Sequence, residues 1–158
     1  MTVVADTSVI LVLAKIDLLH LLRDLQEPVV IPESVAAEAL NDAYTDSAES
    51  RGIRDAIGEG WLTVERDPDA DTRFAALGRG ERSVIALALA MSASLVLIDD
   101  WDARRVAAAV GLRVSGTVAL LAVAKRDGRI SASVRLAERL REVGFRVSDD
   151  VLTTAGLG

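Results

Sequence analysis

Short apolar runs alternate with helix-like stretches along nearly the whole chain, and this alternation limits the possible folds more than any other feature. The strand candidates are Thr2–Ala5, Pro28–Ile31, Trp61–Glu65, Leu95–Ile98 and Leu112–Val114. Leu95–Ile98 is apolar without a break, as expected of a strand covered on both faces. Between the strands the pattern predicts helices over Val9–Ile16, from Asp17 to Leu25, from Pro32 through Leu40, about Asp46–Ile57, Glu81–Met91, Asp102–Val110, Thr117–Lys125 and Ser131–Val143. The punctuation agrees. Asp6, Thr7 and Ser8 are all good capping residues, Asp17 is a further candidate cap, and Pro32 suits a first helical turn. Asp67–Asp71 is the most loop-like stretch, and Asp149–Gly158 reads as a short helix or a loose tail. Strands separated by helices predict an α/β fold, a central parallel sheet of about five strands layered by helices. No repeat or linker divides the chain, so residues 1–158 are expected to form a single domain.

Composition narrows the chemistry. The chain is 51% hydrophobic but only 3% aromatic, so its core must be built from Ala, Val, Leu and Ile. It has no cysteine, which excludes disulfides and thiolate metal sites and suits a reducing cytosol. His20 is the only histidine, so paired-imidazole mechanisms and multi-histidine zinc sites are excluded, and a helix-surface or packing role is expected for it. No secretory signal is visible, and the weakly polar run Ser83–Ile98 is shorter than the roughly 20 residues a spanning helix needs. A soluble, cytoplasmic protein is expected.

The net charge of -6 argues against a strongly basic nucleic-acid binder. Its distribution is uneven. Met1 to Asp102 carries 8 basic and 19 acidic residues, whereas Ala103 to Gly158 carries 10 basic and 5 acidic. A metal centre beside a phosphate-contacting surface would have this layout, and so would solvated, arginine-rich helix faces.

Carboxylates are the chemistry that remains. Asp6 ends the first predicted strand, and Asp99 and Asp100 end Leu95–Ile98. Glu38 follows Val35 by three positions and shares the apolar stripe of its helix, while Glu81 opens the apolar helix after Gly78-Arg79-Gly80. In an open parallel sheet, ligands gather outside the carboxyl ends of the strands, where strand order switches. Carboxylates converging there repel one another unless a cation neutralises them, and oxygen-only ligands favour magnesium or manganese over zinc. Each acid also has a plain structural reading. Asp6 and one of Asp99 and Asp100 could cap helices, Glu81 could complement a helix amino terminus, and Glu38 could be solvated.

The segments VVADTSVILVLAKID, VVIPESVAAEAL, LGRGERSVIALALAMSASLVLIDDWDARRVA and GLRVSGTVALLAVAKRDGRI resemble PIN domains. The similarity runs from about Val3 to Ile130 and is nearest to a branch akin to VapC-type toxins. It implies a PIN-like three-layer α/β/α fold and a Mg2+- or Mn2+-dependent ribonuclease. Such proteins are often the toxin half of a toxin–antitoxin pair, held by a small antitoxin protein, and often homodimeric. By this resemblance Asp6, Glu38 and Glu81 match the family's acidic positions. The strand-end aspartate falls on Asp100 by the usual Thr-x-Asp pattern, or on Asp99 by the nearer branch. Ile98 stands where a Thr or Ser is usual. Asp6, Glu81 and Asp99 or Asp100 would be the metal ligands, with Glu38 an outer ligand or the residue orienting water. Thr7, Ser8 and Asp102 would support them, and Arg104, Arg105 and Arg113 would contact the RNA backbone.

Two rival readings remain. The missing hydroxyl at Ile98 and the acidic balance leave room for a PIN fold that binds RNA or protein without cutting. A receiver or an Asp-x-Asp phosphatase fits poorly. The acidic pair comes late, the only lysines are Lys15 and Lys125, and the first strand ends in Asp-Thr-Ser.

Overall fold

The computed structural model describes residues 1–41, 46–131 and 134–158. Five parallel strands form one sheet: β1 (Val3–Ala5), β2 (Val29–Pro32), β3 (Leu62–Glu65), β4 (Leu95–Leu97) and β5 (Val114–Ser115), in the order β3-β2-β1-β4-β5. The helices are α1 (Thr7–Lys15), α2 (Glu33–Ala39), α3 (Ala48–Gly58), α4 (Arg79–Ala90), α5 (Trp101–Ala109), α6 (Thr117–Arg126), α7 (Leu136–Glu142) and α8 (Asp149–Thr154). They flank the sheet in a three-layer α/β/α arrangement. Helix α4 packs across β1, β2 and β4 and against α2 and α5, while α1 packs against α3 and α6.

The three central strands are covered on both sides, which is why their sequences are apolar rather than alternating. Val4, Ala5, Val29, Ile31, Val96 and Ile98 are essentially without solvent exposure. The core around them is almost wholly aliphatic, with Phe74 the one buried aromatic side chain among the described residues. Among the described residues no helix is long and apolar enough to cross a membrane.

Several boundaries differ from the sequence reading, each for a local reason. Asp17 does not cap a second helix. It sits at φ 60°, closing α1, where Leu18 N–H donates to the Leu13 carbonyl (2.8 Å) and Asp17 N–H to that of Ala14 (3.2 Å). Short polar side chains tolerate this left-handed position better than most. The expected second helix is two short 3-10 turns, Leu19–Leu21 and Arg23–Leu25, with His20 exposed on the first. Pro32 lies at the end of β2 and at the N-cap of α2, rather than inside its first turn.

The last strand is Val114–Ser115 and not Leu112–Val114, because Leu112 still belongs to the end of α5. Gly111 at φ 85° turns the chain, and Leu112 N–H donates to the Ala107 carbonyl (3.1 Å). Helix α7 begins at Leu136. Of the helix expected from Ser131, residues Ala132 and Ser133 lie outside the described residues. The final segment is helical, with α8 anchored by buried Leu152 and followed by buried Leu157.

Candidate active site

Strand order reverses between β1 and β4, and Asp6 and Asp99 stand just beyond the carboxyl ends of these two neighbours. The Asp6 N–H donates to the Leu97 carbonyl (2.9 Å), so the sheet itself fixes the start of the site. Asp6 is only 4% exposed, and one of its oxygens accepts from Thr7 N–H at the start of α1 (2.7 Å). It is therefore a helix cap, yet it also lies within the field of three other acids. Burial is the main force pushing its carboxyl up from 3.8 to about 6. The negative charges of Glu81, Glu38 and Asp99 add to this, while the Thr7 hydrogen bond opposes it.

The other acids arrive on separate elements. Glu38, on α2, accepts from the Thr7 hydroxyl (2.9 Å). It lies so close to α4 that a Cβ on Gly80 would come within 2.7 Å of its carboxylate oxygen, so no larger residue fits at Gly80 without displacing it. Glu81 is the third residue of α4, and its carboxylate reaches back to Gly78 N–H (3.0 Å). This is the glutamate half of a capping box, the only half a glycine N-cap allows. Asp99 accepts from both the backbone N–H (2.8 Å) and the hydroxyl of Thr117 at the start of α6. Asp6, Thr7, Ser8, Glu38, Gly78, Gly80 and Glu81 line one cavity of about 160 Å³.

Asp6, Glu38, Glu81 and Asp99 are thus brought together. Asp100 is not among the neighbours that act on Asp6. It is the N-cap of α5, accepting from Ala103 N–H (2.9 Å). Asp102 is exposed in the first turn of α5, and Arg105 is exposed further along it. Arg104 lies beside Asp99 and donates to the Ile98 carbonyl (2.9 Å). Arg113 does not join them. It precedes β5 at the amino edge of the sheet, its carbonyl paired with Val96 N–H, because β5 begins later than the sequence suggested.

Three supporting features were missed in the sequence. Thr117 is fully buried and supplies beside Asp99 a hydroxyl that Ile98 cannot. Gly116 lets α6 come that close, since a Cβ there would meet Asp99 and Arg104 at 2.7 and 2.5 Å. Asp67 accepts from Ser34 N–H (3.0 Å) and the Ser83 hydroxyl (3.2 Å), clasping α2 to α4, the helices that carry Glu38 and Glu81. Applying the strand-end rule to β3 and β5 would have found Asp67 and the Gly116-Thr117 pair.

The four acids offer only oxygen donors, and none of them forms an ion pair among the described residues. By charge and donor type they fit a hard divalent cation. As the side chains lie, no group of three converges tightly enough among the described residues to enclose an ion. Hydrogen bonds to Gly78, Thr7 and Thr117 hold the carboxylates apart.

A parallel α/β/α sheet with acids gathered at its switch point defines a class of domain whose working edge is carboxylate-rich. Within that class the chain belongs to the PIN-domain family, whose profile matches residues 2–156. Members of this family are generally nucleases and typically use divalent metals. Among solved structures, the chain is similar to a PilT N-terminus domain protein from the hyperthermophilic archaeon Sulfolobus solfataricus P2. The identity is 18% and the TM-score 0.55, over 78% of this chain and 92% of that one, a likeness of fold. A domain of a functionally unknown protein from Methanocaldococcus jannaschii DSM 2661 aligns at 21% identity and TM-score 0.49, over 73% of this chain and 89% of that one. No curated protein matches the chain.

Proposed function

We propose that the chain is a ribonuclease that hydrolyses RNA phosphodiester bonds with a divalent cation, Mg2+ or Mn2+, and serves as the toxin of a toxin–antitoxin pair. The observation that carries the nuclease reading is the set of four carboxylates, buried Asp6 with Glu38, Glu81 and Asp99 about it, none of them in an ion pair among the described residues. Asp6, Glu81 and Asp99 would hold the cation. Bound there, it would supply an acidified water and offset charge on the phosphate.

The chain's own groups do the rest. Asp6 holds its proton to about pH 6, so it is ionised and ready to ligate at neutral pH only at an electrostatic cost that a cation would relieve. Glu38, fixed by the Thr7 hydroxyl in the same cavity, is suited to orienting a water. Arg104 can meet a phosphate beside Asp99. Asp100 keeps the start of α5 in place. The toxin role, a small antitoxin protein and a homodimer rest on the resemblance to VapC-type toxins. Growth arrest on expression alone, relieved by co-expressing the neighbouring reading frame, is the outcome expected of a toxin.

A second reading, a PIN fold that binds RNA without cutting it, is favoured by Asp99, whose two oxygens are already engaged by Thr117. One experiment separates the two. Purified protein is incubated with total cellular RNA, with and without manganese, beside Glu81→Gln. Metal-dependent cleavage that falls about 100-fold or more in the variant is expected. Cleavage that survives the substitution would overturn the site. RNA retained but uncut by the wild-type chain would favour the second reading.

A further inference from the structure

A second cavity, of about 750 Å³, has Asp99 in its wall. Its walls come from the starts of α5 and α6 and from the carboxyl-terminal segment around α8. Trp101, Arg104, Phe145, Arg146 and Val151 line it together with Asp99. Trp101 is the first residue of α5 and is 71% exposed, in a chain with only two tryptophans. A large aromatic face left bare beside an acidic edge is an ordinary feature of stacking surfaces and an unusual one for packing.

The cavity also holds two arginines. Several guanidinium groups of the carboxyl-terminal third are neutralised, Arg126 and Arg129 by Asp127, Arg135 by Glu138, and Arg141 by Asp149, whereas Arg113 and Arg139 form no ion pair among the described residues. Among the described residues, Arg104 and Arg146 have no acidic partner within ion-pair distance, although Asp150 also lines the cavity. The volume falls in the range of small-molecule sites and leaves room for a nucleotide. A peptide could use the apolar wall formed by Val118, Val151 and Phe145, but unneutralised arginines favour a polyanion.

We propose that this cavity is a nucleotide subsite for single-stranded RNA. The base next to the scissile phosphate stacks on Trp101, and its own phosphate is held by Arg104 and Arg146. This rests on the ribonuclease reading for the identity of the chain's substrate. A base inside a duplex cannot offer its face to Trp101, so the subsite is one for unpaired RNA.

The test is a binding measurement without turnover. Full-length protein carrying Trp61→Phe, so that Trp101 is the sole tryptophan, is titrated in EDTA with a short oligouridylate and with a duplex of equal length. Quenching of Trp101 emission by the single strand and not by the duplex is expected. Trp101→Ala, followed by RNA fluorescence anisotropy, should weaken binding roughly tenfold, with most of it recovered in Trp101→Phe. Arg146→Ala should lower the slope of log affinity against log salt by about 0.7.

Binding that leaves Trp101 emission and the Trp101→Ala affinity unchanged would overturn the subsite. Failure to bind RNA at all would also overturn it and leave the cavity to a protein partner. The two claims fail separately. Tight, Trp101-dependent binding without cleavage in manganese removes the nuclease and keeps the subsite. Cleavage with an unchanged KM in Trp101→Ala does the reverse.

Discussion

Two acidic regions of this chain are treated in opposite ways. In the loop after β3, Asp67 is satisfied by Ser34 N–H and the Ser83 hydroxyl, with Arg79 3.8 Å away, and half-buried Asp71 is paired with Arg73 (2.7 Å). The Asp71 carboxyl is accordingly held below its usual range by the Arg73 hydrogen bonds. At the switch point, Asp6 is buried among other acids and its carboxyl is pushed up to about 6. The first region spends its carboxylates on holding helices and turns. The second keeps them uncompensated, which is tolerable only if function or a ligand requires it.

This contrast can be broken at three positions. The largest stability effect is expected at Asp6. Its native pKa lies above the unfolded value, so the native state binds the proton more tightly, and stability falls as pH rises from about 3.8 to about 6. Above that window the penalty is of the order of 3 kcal/mol. Asp6→Asn should therefore raise the metal-free Tm at pH 7.5, with the gain shrinking toward pH 4, both seen by thermal melts. The same variant should lose the stabilisation expected of the wild type in millimolar manganese. An unchanged metal response in a folded Asp6→Asn protein would mean that the acids do not form one site.

Asp67→Ala should act in the opposite sense, destabilising by about 1–3 kcal/mol in urea unfolding because Ser34 N–H loses its partner. Its metal-dependent Tm shift should persist. Asp71→Ala should change the melt little, since its partner Arg73 is exposed and a surface ion pair contributes little. If Asp71 proved more important than Asp67, the division between clasping and uncompensated acids would be wrong.

Much of this could be read in advance because strand ends are loudly marked. The runs ending at Ala5 and Ile98 are apolar to the last residue and then turn acidic, which locates Asp6 and the Asp99-Asp100 pair by pattern alone. Glu38 and Glu81 were legible as acids on otherwise apolar faces. What stayed hidden depended on partners distant in sequence. Nothing local distinguishes Asp99 from Asp100. Thr117, 18 residues further on, accounts for both Asp99 oxygens, while Asp100 turns to Ala103. Arg113 was misplaced because Leu112 looked like strand and is instead tied back to α5. Asp67 carries no local signal of its role, since its partners lie on α2 and α4.

The clasp between Asp99 and Thr117 also has a consequence for synthesis. The four acids lie at positions 6, 38, 81 and 99, and the last is secured only when residue 117 has joined the fold. A growing chain still lacking α6 can build β1, α2 and β3 yet has no finished centre. Whatever this centre does, it can do only after most of the chain has been made.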